Sequence, residues 1–402
     1  MDVLRIIING LEILLLGYFG FASMYVFVFS VAGLFKAKTR DALSVKQRKF
    51  AVLIPGYKED SVIVEVAQKA LEQSYPSHLY EVVIIADSFQ AATLEKLRQL
   101  PIKLVEVSFE KSTKSKALNK AMEVIGDQYH VALILDADNI MERDFIAKIN
   151  EAFNQGYRVV QGHRIAKNTN TSFAILDAIS EEVNNHIFRK GHRVLGLSSA
   201  LIGSGMAFDY YFFKHTMAHV NAVGGFDKEL ELKLLKNRTK IEYLNDALVL
   251  DEKVQKSEVF ANQRKRWLSA QFVYFGRYFV PGIKELFTKG NIDFFDKVYQ
   301  MVSPPRVLLL GLVTLFSALY LLVNLVLANN ILAIPELYWY SCFGLTALAF
   351  AFAVPKKYYS ASTFRAMLTL PKAFLLMFLS LFKLKGANKK FIHTQHGTIN
   401  SQ

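Results

Sequence analysis

The feature that most constrains this fold is a run of 23 residues without a charge, from residue 13 to residue 35. About 20 apolar residues suffice for a helix to cross a bilayer. A basic stretch follows at once, with Lys36, Lys38, Arg40, Lys46, Arg48 and Lys49. The apolar run predicts a transmembrane anchor over residues 1–35. The basic stretch after it is expected in the cytosol, because positive charge is retained on that side. A signal peptide would have a shorter apolar run and a small-residue cleavage site after it.

A second apolar region begins after Arg306. Its uncharged stretches, 307–327 and 337–354, predict two transmembrane helices within residues 307–355. Together with the anchor they predict a multi-pass protein of the cell (inner) membrane. The same charge rule places the central part of the chain in the cytosol.

The segments beside this region are expected to lie at the membrane surface. Residues 276–306 and 356–402 predict interfacial helices and, at the end of the chain, a cytosolic tail. Only ten uncharged residues separate Lys372 from Lys383, which is fewer than a spanning helix needs. A third C-terminal crossing is the alternative, and it would move the tail to the other side.

Residues 36–275 have the pattern of an α/β domain. Apolar runs typical of buried strands cover 50–55, 81–87, 103–108, 131–138 and 158–162. Helical spacing covers 61–73, 91–99, 116–125 and 142–155. This alternation predicts a doubly wound sheet, in which ligands bind outside the carboxyl ends of the strands.

Composition narrows the classes of function. Hydrophobic residues make up 52% of the 402-residue chain, and its net charge of +13 suits anionic lipid or a phosphorylated substrate. No zinc finger, aromatic RNA-binding repeat or compact basic arm is visible, so nucleic acid is not expected as a partner. The single cysteine, Cys342, excludes intrachain disulfides and a cysteine metal cage.

Carboxylates end two of the predicted strands. Asp87 ends the second strand, and Asp136 and Asp138 end the fourth. Because side chains two apart on a strand point to the same side, the pair faces one point. Such hard oxygen ligands suit Mg²⁺ or Mn²⁺. A solvated turn is the alternative for the pair, and a helix cap is the alternative for Asp87.

Further candidates stand between the sheet and the second apolar region. Lys116 begins a predicted helix, and the glycines of 203–205 permit close approach of a ligand. Asp227 and Glu229 stand at another helix start, where carboxylates also stabilise the helix dipole. The sequence QRKRW at 263–267 offers arginines for a diphosphate and an indole for a sugar ring. A surface lysine, a plain turn and a membrane-surface patch are the alternatives.

In this order, the motifs resemble those of membrane-embedded family 2 glycosyltransferases of the GT-A type. That group contains cellulose, chitin and hyaluronan synthases and bacterial exopolysaccharide synthases. The resemblance covers residues 45–275 and the flanking apolar segments. It implies a GT-A-like mixed sheet between transmembrane helices and an inverting hexosyltransferase activity. It also implies a UDP-sugar donor, Mg²⁺ or Mn²⁺ as cofactor, and a saccharide or lipid-linked acceptor.

The resemblance further implies a role for each motif. The donor would contact Tyr57, Glu59, Asp87, Lys116, Asp136, Gln263 and Arg266. The metal would be held by Asp136 and Asp138. The acceptor would contact Gly203, Ser204, Gly205 and Trp267. Residues 391–396 resemble a tail that returns to the site as a gate in some members.

The chain departs from this family at the general base. The family usually has a Glu-Asp pair just before a stretch such as LELKLL, and here the pair is Lys228-Glu229. Glu229 therefore takes the position of the catalytic aspartate, and Asp227 is the alternative base. Misplacing a base by about 1 Å can cost on the order of 10²-fold in rate.

The sequence leaves three functions open. The QxxRW signature favours processive polysaccharide synthesis. Three spans make a narrow exit path, which favours a single transfer to a lipid carrier or a homo-oligomer. The altered pair at Lys228-Glu229 is compatible with a non-catalytic subunit that binds partner subunits of a synthase complex.

The charge pattern yields a prediction about topology. In a Cys342→Ser background, a cysteine at Val3 should react with an impermeant thiol reagent added outside intact cells, whereas a cysteine at Lys38 should not. The reason is the basic cluster after the first apolar run, which is retained in the cytosol. A cysteine at Gln395 should also stay unlabelled, and its labelling from outside would demonstrate the additional C-terminal crossing.

Overall fold

The centre of the protein is one mixed β-sheet. The computed structural model describes residues 2–220, 222, 224–255, 257–327 and 334–382. The strands in these residues are β1 (Phe50–Tyr57), β2 (Tyr80–Asp87), β3 (Lys103–Val107), β4 (Val131–Ile134), β5 (Ile140–Met141), β6 (Val159–Ala166), β7 (Met206–Asp209) and β8 (Glu242–Asp251). Their order across the sheet is β3-β2-β1-β4-β7-β6-β8-β5.

Helices cover both faces of the sheet and extend beyond it. They are α1 (Asp2–Gly33), α2 (Ile63–Ala70), α3 (Ala91–Arg98), α4 (Lys114–Ile125), α5 (Phe145–Asn154), α6 (Ser172–Asn184), α7 (His192–Val194), α8 (Tyr210–Met217), α9 (Phe226–Lys236), α10 (Ser257–Lys289), α11 (Ile292–Val302), α12 (Arg306–Leu327), α13 (Leu337–Ala353), α14 (Ala361–Met367) and α15 (Leu370–Leu381). A π-helical segment, Asn185–Gly191, joins α6 to α7.

The first half of the sheet is parallel and the second half is mixed. β1 pairs in parallel with β2 and β4, and β2 pairs in parallel with β3. β7 is antiparallel to both β4 and β6, and β8 is parallel to β6. The carboxyl ends of β1, β2 and β4 therefore lie at one edge of the sheet, where a doubly wound fold binds its ligands.

Alternation along β1 supplies two cores. Phe50, Val52 and Ile54 pack into one hydrophobic cluster with α2 and α5. Ala51 and Leu53 face the opposite way and pack with α4, α8 and α9. Because both faces of the strand are buried, it reads in the sequence as a continuous apolar run.

The strands in the parallel half of the sheet have nearly the predicted bounds, with one difference that affects the site. β4 ends at Ile134, so the predicted strand 131–138 is four residues too long. A turn begins there, because the amide of Asn139 donates to the carbonyl of Asp136 at 3.1 Å. The sequence analysis missed β7 and β8: β7 has four residues, and β8 has exposed polar residues in its middle.

The helices predicted to lie in a membrane are confirmed in part. Ile6–Gly33 and Arg306–Val326 are long and apolar enough to cross a bilayer. α13 is apolar but has only 17 residues. α14 and α15 meet at an angle of 41° and pass the same test of length and composition when taken together. The described residues therefore contain two candidate spans, or three if the bent pair is one span.

The first apolar helix is docked closely on the α/β domain. A Cβ atom at Gly191 would lie 2.1 Å from the carbonyl oxygen of Phe29, so α1 and the π-helical segment are in backbone contact. The ring of His192 stacks on Phe29 with centroids 3.7 Å apart. Trp339 of α13 is buried against Phe19 of α1, which joins the two apolar helices.

Two sequence-based expectations concern the borders of the domain. α10 runs continuously from Ser257 to Lys289, through the boundary expected at residue 275. The segment expected to act as a gate, 391–396, lies outside the described residues.

Candidate functional site

A cavity of about 550 Å³ opens at the carboxyl ends of β1 and β2 and continues to the apolar helices. Nine of the residues singled out in the sequence line it: Tyr57, Glu59, Asp87, Asp136, Asp138, Asp227, Gln263, Arg266 and Trp267. At its far end the walls come from α12 and α15. One cavity therefore joins the polar strand ends to the apolar helices.

The first end of the cavity is formed by two adjacent strand ends. Tyr57 and Asp87 are partners in the β1–β2 register. The carboxylate of Asp87 is buried and accepts a hydrogen bond of 3.0 Å from Ser88 Oγ. Lys58 and Ser88 both have left-handed backbone conformations (φ 57° and 61°), so both strands end in sharp turns.

Three carboxylates converge in the middle of the cavity. Single oxygens of Asp136, Asp138 and Asp251 all lie within 4.8 Å of one another. Asp251 is the last residue of β8 and was not identified from the sequence. Three carboxylate oxygens around one point are a donor set that fits Mg²⁺ or Mn²⁺, and both ions prefer hard oxygen ligands.

Hydrogen bonds hold the carboxylates in place. Asn139 Nδ2 donates to Asp138 Oδ1 at 3.2 Å and to Asp251 Oδ1 at 3.1 Å. The amide of Glu252 donates to Asp138 Oδ2 at 3.1 Å. Supporting residues of this kind fix the orientation of metal ligands.

Buried cations surround the same group. Arg164 lies 3.4 Å from Asp251 and 4.0 Å from Asp136, and Lys253 lies 2.7 Å from Asp251. Burial alone would raise the pKa of Asp251, but Arg164 and Lys253 outweigh that effect and hold the pKa below its usual range. The carboxylate is therefore charged at neutral pH, as a metal ligand must be.

Of the two lysines at the start of α4, Lys114 lines the cavity and Lys116 does not. Lys114 Nζ forms an ion pair with Asp136 and donates to the carbonyl of Gly203 at 2.7 Å. Lys116 Nζ instead donates to the carbonyl of Lys111 on the exposed side of α4. The helix begins at Lys114, two residues before the predicted start, with Thr113 as its N-cap. That shift moves the second lysine to the outer face.

The segment 203–205, which was expected to contact the acceptor, is not among the residues that line the cavity, although its backbone contacts Lys114. Gly203 and Gly205 have φ values of 88° and 60°, which favour glycine. Ser204 between them is fully buried. The carbonyl of Gly203 faces Lys114, and a Cβ atom at Gly203 would lie 3.8 Å from the carboxyl carbon of Asp227. The segment thus positions Lys114 next to the acidic residue of α9.

α9 places its two candidate bases on different faces. Asp227 lines the cavity. Its pKa is raised, chiefly because the carboxyl is buried, with Lys228 acting in the opposite direction. Glu229 is buried elsewhere, 3.0 Å from Lys233 and 3.8 Å from Arg277. Among the described residues that line the cavity, Asp227 is the candidate base on α9.

The QxxRW residues lie on one side of α10. Gln263 Oε1 is buried and has no hydrogen-bond partner among the described residues, and burial lowers the pKa of Arg266. The ring of Trp267 is 41% exposed and packs under Arg264, with 4.4 Å between the guanidinium carbon and the ring centroid. This side of the helix offers a polar amide, a cation and an aromatic face to a ligand.

The sequence analysis missed several charged residues of the site. Asp251, Arg164 and Lys114 line the cavity with the predicted aspartates. Asp251 carries a signal in the sequence, since it ends the short apolar run 247–250 as Asp87 ends β2. Arg164 lies within β6, where no motif distinguishes it.

This arrangement matches what is required for transfer of a group from a diphosphate. The acidic, metal-compatible centre shares one cavity with the ends of β1 and β2 and with a carboxylate of raised pKa. Cations at Lys114 and Arg266 supply positive charge beside the same space. Such groups stabilise the charge that develops on a leaving diphosphate.

Comparison with known proteins gives matches at the level of family and fold. Residues 47–270 match the family model described as "Glycosyltransferase like family 2". The mannosyltransferase PcManGT from Pyrobaculum calidifontis, in complex with GDP-Man and Mn²⁺, has a TM-score of 0.58 at 16% identity, over 92% of this chain and 97% of its own. TarS 1–349 of S. aureus with UDP-GlcNAc has a TM-score of 0.40 at 14% identity, over 81% and 91%. No curated protein matches the sequence significantly.

The acidic group yields a prediction about metal binding. Loss of even a supporting residue typically weakens a metal site by about 10- to 100-fold. We expect Asp251→Asn to weaken binding of Mn²⁺ at least that much, measured by the paramagnetic resonance signal of free Mn²⁺. The matched control is Asp246→Asn, because Asp246 is an exposed residue of the same strand. Unchanged Mn²⁺ binding combined with lower thermal stability would show that Asp251 is only an ion-pair partner.

Proposed function

The chain belongs to glycosyltransferase family 2, and we propose that it transfers one sugar, with inversion, from a nucleotide donor to a lipid-linked acceptor. The observation that carries this proposal is the cavity that joins Asp87, the three aspartates and Asp227 to an apolar end lined by α15 and the start of α12. A water-soluble acceptor has no need of the apolar end. We propose that the catalytic domain lies on the cytosolic side of the cell membrane, because the basic residues of 36–49 follow the first apolar helix.

The donor is proposed to lie along the strand ends. Tyr57 and Asp87 are placed to contact the nucleotide base, and Gln263 and Arg266 to contact the diphosphate. Lys114 takes the supporting role that the sequence gave to Lys116, because Lys114 lines the cavity beside Asp136 and Lys116 does not. UDP is the expected nucleotide. GDP is the second nucleotide to test, because the mannosyltransferase of similar fold was solved with GDP-Man.

A divalent ion, Mg²⁺ or Mn²⁺, is proposed at Asp136, Asp138 and Asp251. When bound, it would supply positive charge that offsets the developing charge of the leaving diphosphate. The ammonium groups of Lys114 and Lys253 contact carboxylates of this group. They would compete with the ion for the same oxygens and keep the remaining carboxylates oriented.

Asp227 is proposed as the general base. It takes the proton from an acceptor hydroxyl while that oxygen attacks the anomeric carbon from the face opposite the diphosphate. The bond from the anomeric carbon to the donor oxygen breaks, and its electron pair leaves with the nucleoside diphosphate. A raised pKa suits this role, because a base works best when its pKa approaches the working pH.

Single transfer is favoured over polymer synthesis by the walls of the cavity. Leu370, Ala373 and Met377 of α15 line its far end. Phe374 also packs on α12, since a Cβ atom at Gly311 would lie 2.2 Å from its ring. An apolar wall suits the hydrocarbon of one lipid, whereas a polysaccharide needs polar contacts along its path.

The test of the proposal is release of nucleoside diphosphate by the full chain in lipid nanodiscs. A panel of UDP-sugars and GDP-mannose is supplied with Mn²⁺, with Mg²⁺ or with EDTA. We expect turnover with one nucleotide class, dependence on the divalent ion, and an inverted product by NMR. Full turnover in excess EDTA would remove the metal from the proposal, and a retained configuration would remove the single-displacement step.

The base yields a separate prediction. Loss of a positioned general base costs about 10²- to 10⁴-fold in rate, so Asp227→Asn should slow transfer by that order while donor binding stays unchanged. Glu229→Gln is the matched control on the same helix, and its rate should remain near wild type. Burial raises the pKa of Asp227, and protonation removes its ability to act as a base. As the pH is lowered, the wild-type rate should therefore fall before the pH reaches the ordinary aspartate pKa of about 3.9. An inactive Glu229→Gln with an active Asp227→Asn would reverse the assignment.

A further inference from the structure

One face of α6 borders the cavity from Leu176 to the end of the helix. Asp177, Ser180, Glu181 and Asn184 are spaced by three and four residues, so they project from one side of the helix. Glu181 reaches the acidic centre through Arg164 at 3.0 Å. Ser180 and Asn184 instead face the first residue of α12. This face therefore connects the reaction centre with the beginning of an apolar helix.

Arg306 is the cation at that point. Its Nη2 donates to Ser180 Oγ at 2.9 Å, and its Nη1 donates to Asn184 Oδ1. The ring of Phe188 lies 5.9 Å from the guanidinium carbon. All three contacts are with neutral groups. Within the described part of the chain, no carboxylate lies within 4.0 Å of this guanidinium.

The neighbouring arginines are different in this respect. Arg264 forms an ion pair with Asp177, and Arg189 lies 3.2 Å from Glu181. Both of these arginines thus have a carboxylate partner inside the protein, although Arg189 shares Glu181 with Arg164. Buried charge is costly unless it is paired. Arg306 lines the cavity without a carboxylate at salt-bridge distance among the described residues, so the cavity offers an anionic ligand a partner at this position.

The surroundings indicate which anion would bind there. Met301, Val307, Leu370, Ala373 and Met377 line the cavity near the start of α12, so an anion at Arg306 would have apolar walls beside it. Arginine is suited to phosphate because its planar group can donate two parallel hydrogen bonds. An anion joined to a hydrocarbon chain matches both features.

We propose that Arg306 binds the phosphate of a lipid-linked saccharide acceptor, with the lipid chain along the α15 residues that line the cavity and the sugar hydroxyl toward Asp227. This inference rests on the proposed function and names its acceptor class. A neutral hydroxyl needs a base, which accounts for Asp227, whereas a phosphate oxygen acting as nucleophile would need none. The phosphate therefore anchors the acceptor and the sugar reacts.

The experiment measures equilibrium binding to the full chain in nanodiscs without any donor, so it does not depend on turnover. Three probes are compared: a prenyl-phosphate monosaccharide, the same prenyl chain and sugar joined without phosphate, and a soluble monosaccharide phosphate. We expect tight binding of the first probe only. Equal binding of the phosphate-free lipid would overturn the phosphate site, and equal binding of the soluble phosphate would overturn the lipid part.

Variants locate the site. Loss of hydrogen bonds to a charged group typically lowers affinity by about 10- to 100-fold. Arg306→Gln should therefore weaken binding of the prenyl-phosphate probe by that factor. The control is Arg365→Gln, because Arg365 is exposed on α14 and should leave binding unchanged. Arg306→Lys keeps the charge without the planar fork and should fall between. If Arg306→Gln instead weakens binding of UDP or GDP, Arg306 belongs to the donor site and the proposal fails. The comparison of the three probes uses the wild-type protein, so it tests the proposal even if a variant does not fold.

Discussion

The ion-pair network around Glu181 is the interaction on which the rest of the site depends. Glu181 of α6 lies 3.0 Å from Arg164 of β6 and 3.2 Å from Arg189 of the π-helical segment. Burial would raise the pKa of Glu181, but Arg164, Lys253 and Arg189 outweigh it and hold the pKa far below its usual range. Removal of one partner from such a buried group typically costs about 3–5 kcal/mol in free energy of unfolding. The sheet, α6 and the segment that contacts α1 are therefore fixed together.

This network ties the chemistry to the apolar helices. The π-helical segment that carries Arg189 is in backbone contact with α1 through Gly191. On the other side, α6 presents Ser180 to Arg306 one residue before Glu181. A shift of α6 would move the acidic centre and the start of α12 at once. Even a small shift can change the rate strongly, since misplacing a catalytic group by about 1 Å can cost on the order of 10²-fold.

Local patterns in the sequence were sufficient for the parallel half of the fold. β1 and β2 are buried on both faces, so their apolar runs are uninterrupted, and Asp87 could be placed at a strand end. Asp251 could not be assigned to the site, because it reaches the two aspartates only through the pairing of β8 with β5 and β6, which are remote from it in sequence. Arg164 is a similar case: a single cation inside a strand acquires its role from partners that are remote in sequence. Long-range pairing of this kind leaves no local period to detect.

The choice between two carboxylates on α9 follows from helix geometry. Successive helical residues are rotated by about 100°, so Asp227 and Glu229 cannot face the same space. Glu231, four residues after Asp227, returns to that side of the helix, is fully buried and lies 3.0 Å from Lys228. The helix begins after Gly225, whose φ of 67° sets the direction of the first turn. That start directs Asp227 into the cavity, so the site keeps a carboxylate of raised pKa although the familiar Glu-Asp pair is absent. The altered motif is therefore not in itself an argument for a non-catalytic subunit.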